Sequence, residues 1–148
     1  MIKEEVKEKL GKKIKEWVVK NPKRIYVTID KNDLKEVARI LYRQMQMRLS
    51  TVTGIDNETN FELIYHFSAD KTGEIFNLRI FLENRKNPEI DSLCDLFKAS
   101  NWVERELYEM LGINFNGHPH LKRLLLAEDW PKDKFPLRKN YNKDSKNE

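Results

Sequence analysis

The sequence predicts an α+β fold: a small, mostly antiparallel sheet with helices on one face and a long extended C-terminal strap. Three patterns carry that expectation. Apolar residues recur at helical spacing in residues 3–19, from Leu34 to Met45, and again from Val103 to Leu111. Between residues 51 and 82 the period changes to two, with β-branched and aromatic residues alternating with polar ones. After Gly112 both periods fade, yet large apolar residues continue among prolines.

Taken in order, Val6, Leu10, Ile14, Trp17 and Val18 share one helical face, with lysines and glutamates on the other, which predicts a first helix stopping before Pro22. Asn21-Pro22 then turns the chain into Ile25-Tyr26-Val27-Thr28-Ile29, a strand by composition. Asp33 and Glu36 mark the start of a second helix that carries Leu34, Val37, Leu41 and Met45 and ends near Leu49. Three strands follow: Thr51–Thr53, Phe61–Phe67 with Phe61, Leu63, Tyr65 and Phe67 on one face, and Ile75–Leu82 with Phe76, Leu78, Ile80 and Leu82 together. The short polar connection from Ser68 to Glu74, containing Gly73, makes an antiparallel hairpin of the last two. Asp91 or Ser92 opens a short helix with Leu93, Leu96 and Phe97. In the last helix Val103, Leu107, Met110 and Leu111 form the apolar face, Asn101 caps it, Glu104 completes a capping box, and Gly112 supplies a left-handed end.

Beyond that glycine, Gly117, Pro119, Pro131 and Pro136 lie among Phe115, Leu121, Leu124, Leu125, Leu126, Trp130, Phe135 and Leu137. Disordered segments are poor in such residues, and a long irregular stretch in a compact protein is normally functional. Residues 113–141 therefore read as a strap that binds a partner, residues 1–112 as an α+β core, and the wholly polar residues 142–148 as a disordered tail. The alternative for the strap is that it wraps its own domain.

A chain of 148 residues suits one domain by length, and its net charge of +4 is spread over interleaved signs rather than concentrated in a stripe. No run approaches the apolar length of a membrane span, and MIKEEVKEKL has no signal-peptide core, so an intracellular chain is expected. The single cysteine, Cys94, suits a reducing compartment.

Catalytic chemistry finds little support. His66, His118 and His120 are the only histidines, and one cysteine cannot supply the thiolates of a zinc or iron–sulfur site. Cys94, between Leu93 and Leu96, reads as a buried, inert thiol. A hydrolase using Cys94 and His118 is thus disfavoured, and the scattered glycines offer no phosphate loop. Arg105 and Glu109 stand at i and i+4, which alone suggests a surface ion pair. Lys122, Arg123, Arg138 and Lys139 are mixed with Glu128, Asp129 and Asp133; they suit protein contacts better than nucleic acid. A basic RNA-binding module remains the alternative function, and it needs exposed stacking aromatics.

The run Glu104-Arg105-Glu106, Glu109-Met110-Leu111-Gly112-Ile113, Phe115, Gly117-His118-Pro119, Leu121, Arg123, Trp130, Pro136-Leu137-Arg138-Lys139 and Tyr141 resembles the signature of the thirty-kilodalton subunit family of respiratory complex I. The same family supplies a subunit to membrane-bound, energy-converting nickel–iron hydrogenases. Asn140 departs from the acid often found there, which affects a local charge contact. The resemblance implies a non-catalytic scaffold that binds no cofactor, with iron–sulfur clusters, and nickel–iron in hydrogenases, held by partner subunits. It implies a cytoplasmic chain, peripheral on the membrane only through the assembled complex, docked on the large quinone-site or nickel–iron-type subunit near the small iron–sulfur subunit. The partner-binding residues it implies are Glu104, Arg105, Glu106, Glu109, Gly117, His118, Pro119, Arg123, Trp130, Pro136, Leu137, Arg138, Lys139 and Tyr141. The short chain and the wording LKRLLLAEDWP favour the hydrogenase-type or archaeal-type complexes.

Overall fold

A computed structural model describes residues 1–121, 131 and 134–139. The elements run α1 (Ile2–Leu10), β1 (Glu16–Asn21), β2 (Arg24–Thr28), α2 (Leu34–Arg39), β3 (Arg48–Asp56), β4 (Phe61–Ala69), β5 (Glu74–Leu82), β6 (Glu89–Asp91), α3 (Ser100–Leu111) and β7 (Asn114–Asn116). This is a mixed α+β architecture with a mostly antiparallel five-stranded sheet of order β1-β2-β5-β4-β3. β1 and β2 are antiparallel, and β2 runs parallel to β5 with Ile25 opposite Phe76. The connections β3–β4 and β4–β5 are far too short for a parallel crossover, so these neighbours form hairpins, of which the sequence predicted the second. β6 and β7 make a separate two-stranded parallel ladder.

The chain divides into two compact units, Met1–Thr53 with Leu63–Phe81, and Gly54–Glu62 with the described residues from Leu82 onward. In the first, Val6, Val27, Leu34, Leu63, Tyr65 and Phe76 are fully buried, so the alternation read from β4 and β5 marks the core. Burying Phe61, Tyr65, Phe67 and Phe76 removes the strand aromatics that RNA stacking would need. In the second, Ile90, Leu93, Leu111, Ile113 and Phe115 form the core. Ile113 and Phe115, assigned to the strap by sequence, are therefore packed, and Phe115 lies opposite Ile90 in the β6–β7 ladder.

Four local expectations are corrected. The first helix does not reach Val19: it ends at Gly11, whose φ of 50° is one that L side chains rarely adopt, and Trp17, Val18 and Val19 pair instead with Val27, Tyr26 and Ile25. Their aromatic and β-branched character, read as a helix face, suits the ladder better. The second helix passes into a π-helical turn, Ile40–Gln44, and stops short of Leu49 because Gln46 has a φ of 55°. No helix forms at Ser92–Phe97; β6 ends at Asp91 and a single turn follows, in which the Phe97 N–H returns to the Leu93 carbonyl at 2.9 Å while the Leu93 N–H goes to the Glu104 carboxylate at 2.8 Å. Asn101 lies inside α3 rather than capping it, and Glu104 turns inward instead of back to Asn101.

One polar chain crosses the first unit. Thr53 Oγ1 lies 2.8 Å from His66 Nε2, His66 Nδ1 lies 2.5 Å from Asn77 Oδ1, and Asn77 Nδ2 donates to the Ile25 carbonyl at 3.3 Å. The amide oxygen of Asn77 can only accept, so Nδ1 carries the proton and Nε2 accepts from Thr53. Asn77→Leu should lower stability by about 1–3 kcal/mol, because it strands the His66 N–H on an apolar neighbour. Urea denaturation would show this as a lower midpoint with an unchanged slope; an unchanged midpoint would rule out a stabilising role for the His66–Asn77 bond.

Candidate partner-binding site

α3 is positioned from within by a carboxylate. Ser100, Glu104, Leu107 and Leu111 recur on one helical face and are buried. Glu104 has no exposure at all, and it collects three donors: Ser92 O–H at 2.5 Å, Leu93 N–H at 2.8 Å and the Cys94 thiol at 3.4 Å. Burial pushes its carboxyl above the ordinary range, against the pull of those donors. Ser92 also donates its backbone N–H to the Asn116 carbonyl at 2.8 Å, which joins the junction to β7.

His118 closes the same region. Its Nδ1 accepts the His120 N–H at 3.0 Å, so Nε2 is the protonated nitrogen and donates to the Asn101 carbonyl at 3.1 Å. Gly117 enters the turn with a φ of 85° and open space around it, so its requirement is conformational rather than steric.

Cys94, Glu104 and His118 present ligand-type atoms within 4.8 Å of one another, so folding adds Glu104 to the pair, Cys94 and His118, that the sequence weighed together. Their chemistry favours a closed hydrogen-bonded junction. Both imidazole nitrogens and both Glu104 oxygens are engaged, and burial pushes the Cys94 thiol up to about 11, leaving it neither a ready thiolate ligand nor a nucleophile.

A second cluster lies at the other end of α3. Gly112 adopts the left-handed conformation predicted for it, with φ 76°, and its N–H returns to the Tyr108 carbonyl at 2.9 Å. Asp56, which is 4% exposed, receives Arg85 through both terminal nitrogens, at 2.5 and 3.2 Å, together with the N–H groups of Glu58 and Lys139. Burial alone would raise its carboxyl, but the Arg85 pair and the two N–H donors outweigh it and bring the pKa to about 2. Nothing in the sequence announced Asp56, since its partners Arg85 and Lys139 are 29 and 83 positions away.

Of the remaining sequence-derived residues, Arg105 stacks 5.4 Å from the ring centre of Trp102, which is 60% exposed. Glu106 and Pro119 are exposed, and Pro136 is half-buried. Glu109 is 3% exposed, so it is no solvated surface carboxylate. Leu137 is 60% exposed, while Arg138 and Lys139 reach back to Leu111 and Asp56. Arg123, Trp130 and Tyr141, and with them the polar tail, lie outside the described residues.

Two consequences can be measured. The folded carboxyl of Asp56 sits at about 2 against an ordinary 3.8, so the folded state binds fewer protons than the unfolded state in that window. Its contribution, about 2 kcal/mol, is complete above about pH 4 and is lost as the pH falls towards 2. Asp56→Asn should therefore flatten the acid limb of the stability curve; an unchanged limb would dismiss the pairing. For Cys94, maleimide labelling at pH 7 should be at least tenfold slower in the folded chain than in urea, and equal rates would contradict the sheltered thiol.

The chain is similar to known proteins. The family described as respiratory-chain NADH dehydrogenase, 30 Kd subunit, matches residues 27–147. A subunit of the F(420)H(2) dehydrogenase of Methanosarcina mazei is 36% identical over 136 residues, 90% of this chain and 85% of that protein. A fused C/D chain of the NADH-quinone oxidoreductase of Phocaeicola vulgatus is 38% identical over 95 residues, which is 64% of this chain but only 18% of the relative. Among solved structures, a chain of an archaeal membrane-bound sulfane sulfur reductase superposes with a TM-score of 0.84 at 19% identity, covering 95% of this chain and 83% of its own, a likeness of fold.

Proposed function

The chain belongs to the thirty-kilodalton subunit family of respiratory-chain NADH dehydrogenase, and from that premise we propose that it is the non-catalytic scaffold of a complex I-like, energy-converting membrane oxidoreductase. It is a complex I thirty-kilodalton-type subunit. The observation that carries the scaffold reading is how its signature side chains are used. The side chains of Glu104, His118 and Arg138, with the backbone N–H of Lys139, bind groups of their own unit, and this framework leaves Trp102, Glu106, Pro119 and Leu137 at the surface. Exposed aromatic and aliphatic anchors on a fixed framework are what protein association uses.

The partners we assign are the large quinone-site or nickel–iron-type subunit and the small iron–sulfur subunit. The Phocaeicola vulgatus relative, whose name joins the letters C and D in one chain, supports the first of these, because fusion keeps two contacting proteins together. In this reading the chain holds no cofactor, and the iron–sulfur clusters, with nickel–iron if the complex is of hydrogenase type, reside in the partners. Among the described residues no helix is long and apolar enough to cross a membrane, which fits attachment through other subunits on the cytoplasmic face. The C-terminal strap, of which residues 113–121, 131 and 134–139 are described, supplies part of the docking surface.

The test is to isolate the native complex through a tag on this chain, identify its companions and analyse its metals. Large and small subunits should co-purify with iron, while the chain produced alone should be colourless and iron-free. A stoichiometric flavin or iron–sulfur spectrum in the isolated chain, or purification without companions, would overturn the proposal.

A further inference from the structure

We propose that Phe135–Lys139 is an intramolecular clasp, closed in the free chain, that holds the C-terminal segment in place before assembly; the assembly half of this idea rests on the scaffold reading above. Arg138 is its central element. The Nε–H donates to the Leu111 carbonyl at 2.7 Å, at the end of α3 where carbonyls lack helical partners and a cation meets the negative end of the helix dipole. The guanidinium lies 4.4 Å from the ring centre of Phe135 and 5.1 Å from that of Phe61. Gly112 is the seat for this group. A Cβ there would stand 2.6 Å from Arg138 Nη2 and 2.7 Å from the Phe135 ring, so only glycine combines the helix-ending conformation with room for the arginine.

The backbone closes around the same point. Leu137 N–H donates to the Met110 carbonyl at 3.0 Å, and Lys139 N–H donates to Asp56 Oδ2 at 3.0 Å. Successive residues thus grip the end of α3 and the tip that carries Asp56, places joined by no short stretch of sequence. The Leu137 side chain stays 60% exposed while its N–H is bound. Such a motif directs its hydrogen bonds and its arginine inward and an apolar side chain outward. Ordering that would otherwise oppose binding has already occurred on folding, which is how preorganisation raises affinity.

Amide exchange on the full chain decides the matter. In the free chain the Leu137 and Lys139 amides should exchange at least tenfold more slowly than in unstructured peptide. Arg138→Ala should restore fast exchange at both positions and leave the amides of β4 as protected as before. Gly112→Ala should do the same, and Arg138→Ala keeps the test valid if the alanine at the glycine position unfolds the chain. Random-coil exchange at these amides in the unaltered chain, or unchanged protection in Arg138→Ala, overturns the clasp. When tagged and untagged chains compete for assembly into the complex, Arg138→Ala should be incorporated several-fold less than the unaltered chain. Equal incorporation of an opened clasp overturns its role in assembly. If the unaltered chain joins no companion, the scaffold reading falls, and exchange alone judges the clasp.

Discussion

A carboxylate withdrawn from water must gather hydrogen-bond donors or surrender its charge, and the arrangement around α3 follows from how Glu104 meets that demand. Ser92 and Leu93 donate to it from the turn after β6, and Cys94 adds a weaker third bond. Ser92 then passes the constraint to β7 through its backbone N–H. A turn, a helix and a short strand are thereby held by one side chain, and His118 fastens the following loop to the start of that helix through Asn101.

The sheet was largely legible because its signals are local. Alternation in β4 and β5, the short polar link between them and the glycine after α3 each act over a few residues, and each appears where the pattern placed it. The N-terminal misreading shows the limit. Trp17, Val18 and Val19 fit a helical stripe by spacing, yet their place is set by β2, a partner that periodicity cannot see. The glycine at position 11, with no Cβ to oppose a positive φ, was the available warning.

The site was legible in composition but not in geometry. Glu104 and His118 were singled out as part of a signature, whereas a capping box would have left Glu104 in solvent. Asp56 was invisible because its importance comes from three segments that only folding brings together: the β3 tip, Arg85 and Lys139. Residues that a motif marks for partners can also be the ones that shape the surface a partner meets. Arg138 illustrates this, since its guanidinium faces two rings of its own unit while its neighbour Leu137 looks outward.

The parallel pairing of β2 with β5 bears on the order of events during synthesis. Asn77 of β5 contacts Ile25 of β2 across a separation of 52 positions, and β5 supplies the inner neighbour that β2 needs. At a translation rate of about 5–20 residues per second, the hairpin of β1 and β2 waits several seconds at the ribosome with one flank open. During that interval β2 presents an unpaired strand edge, and Ile25 and Val27, fully buried in the finished sheet, lack Phe76 and Leu78 opposite them. The nascent chain thus carries an uncovered strand edge until β5 emerges to close it.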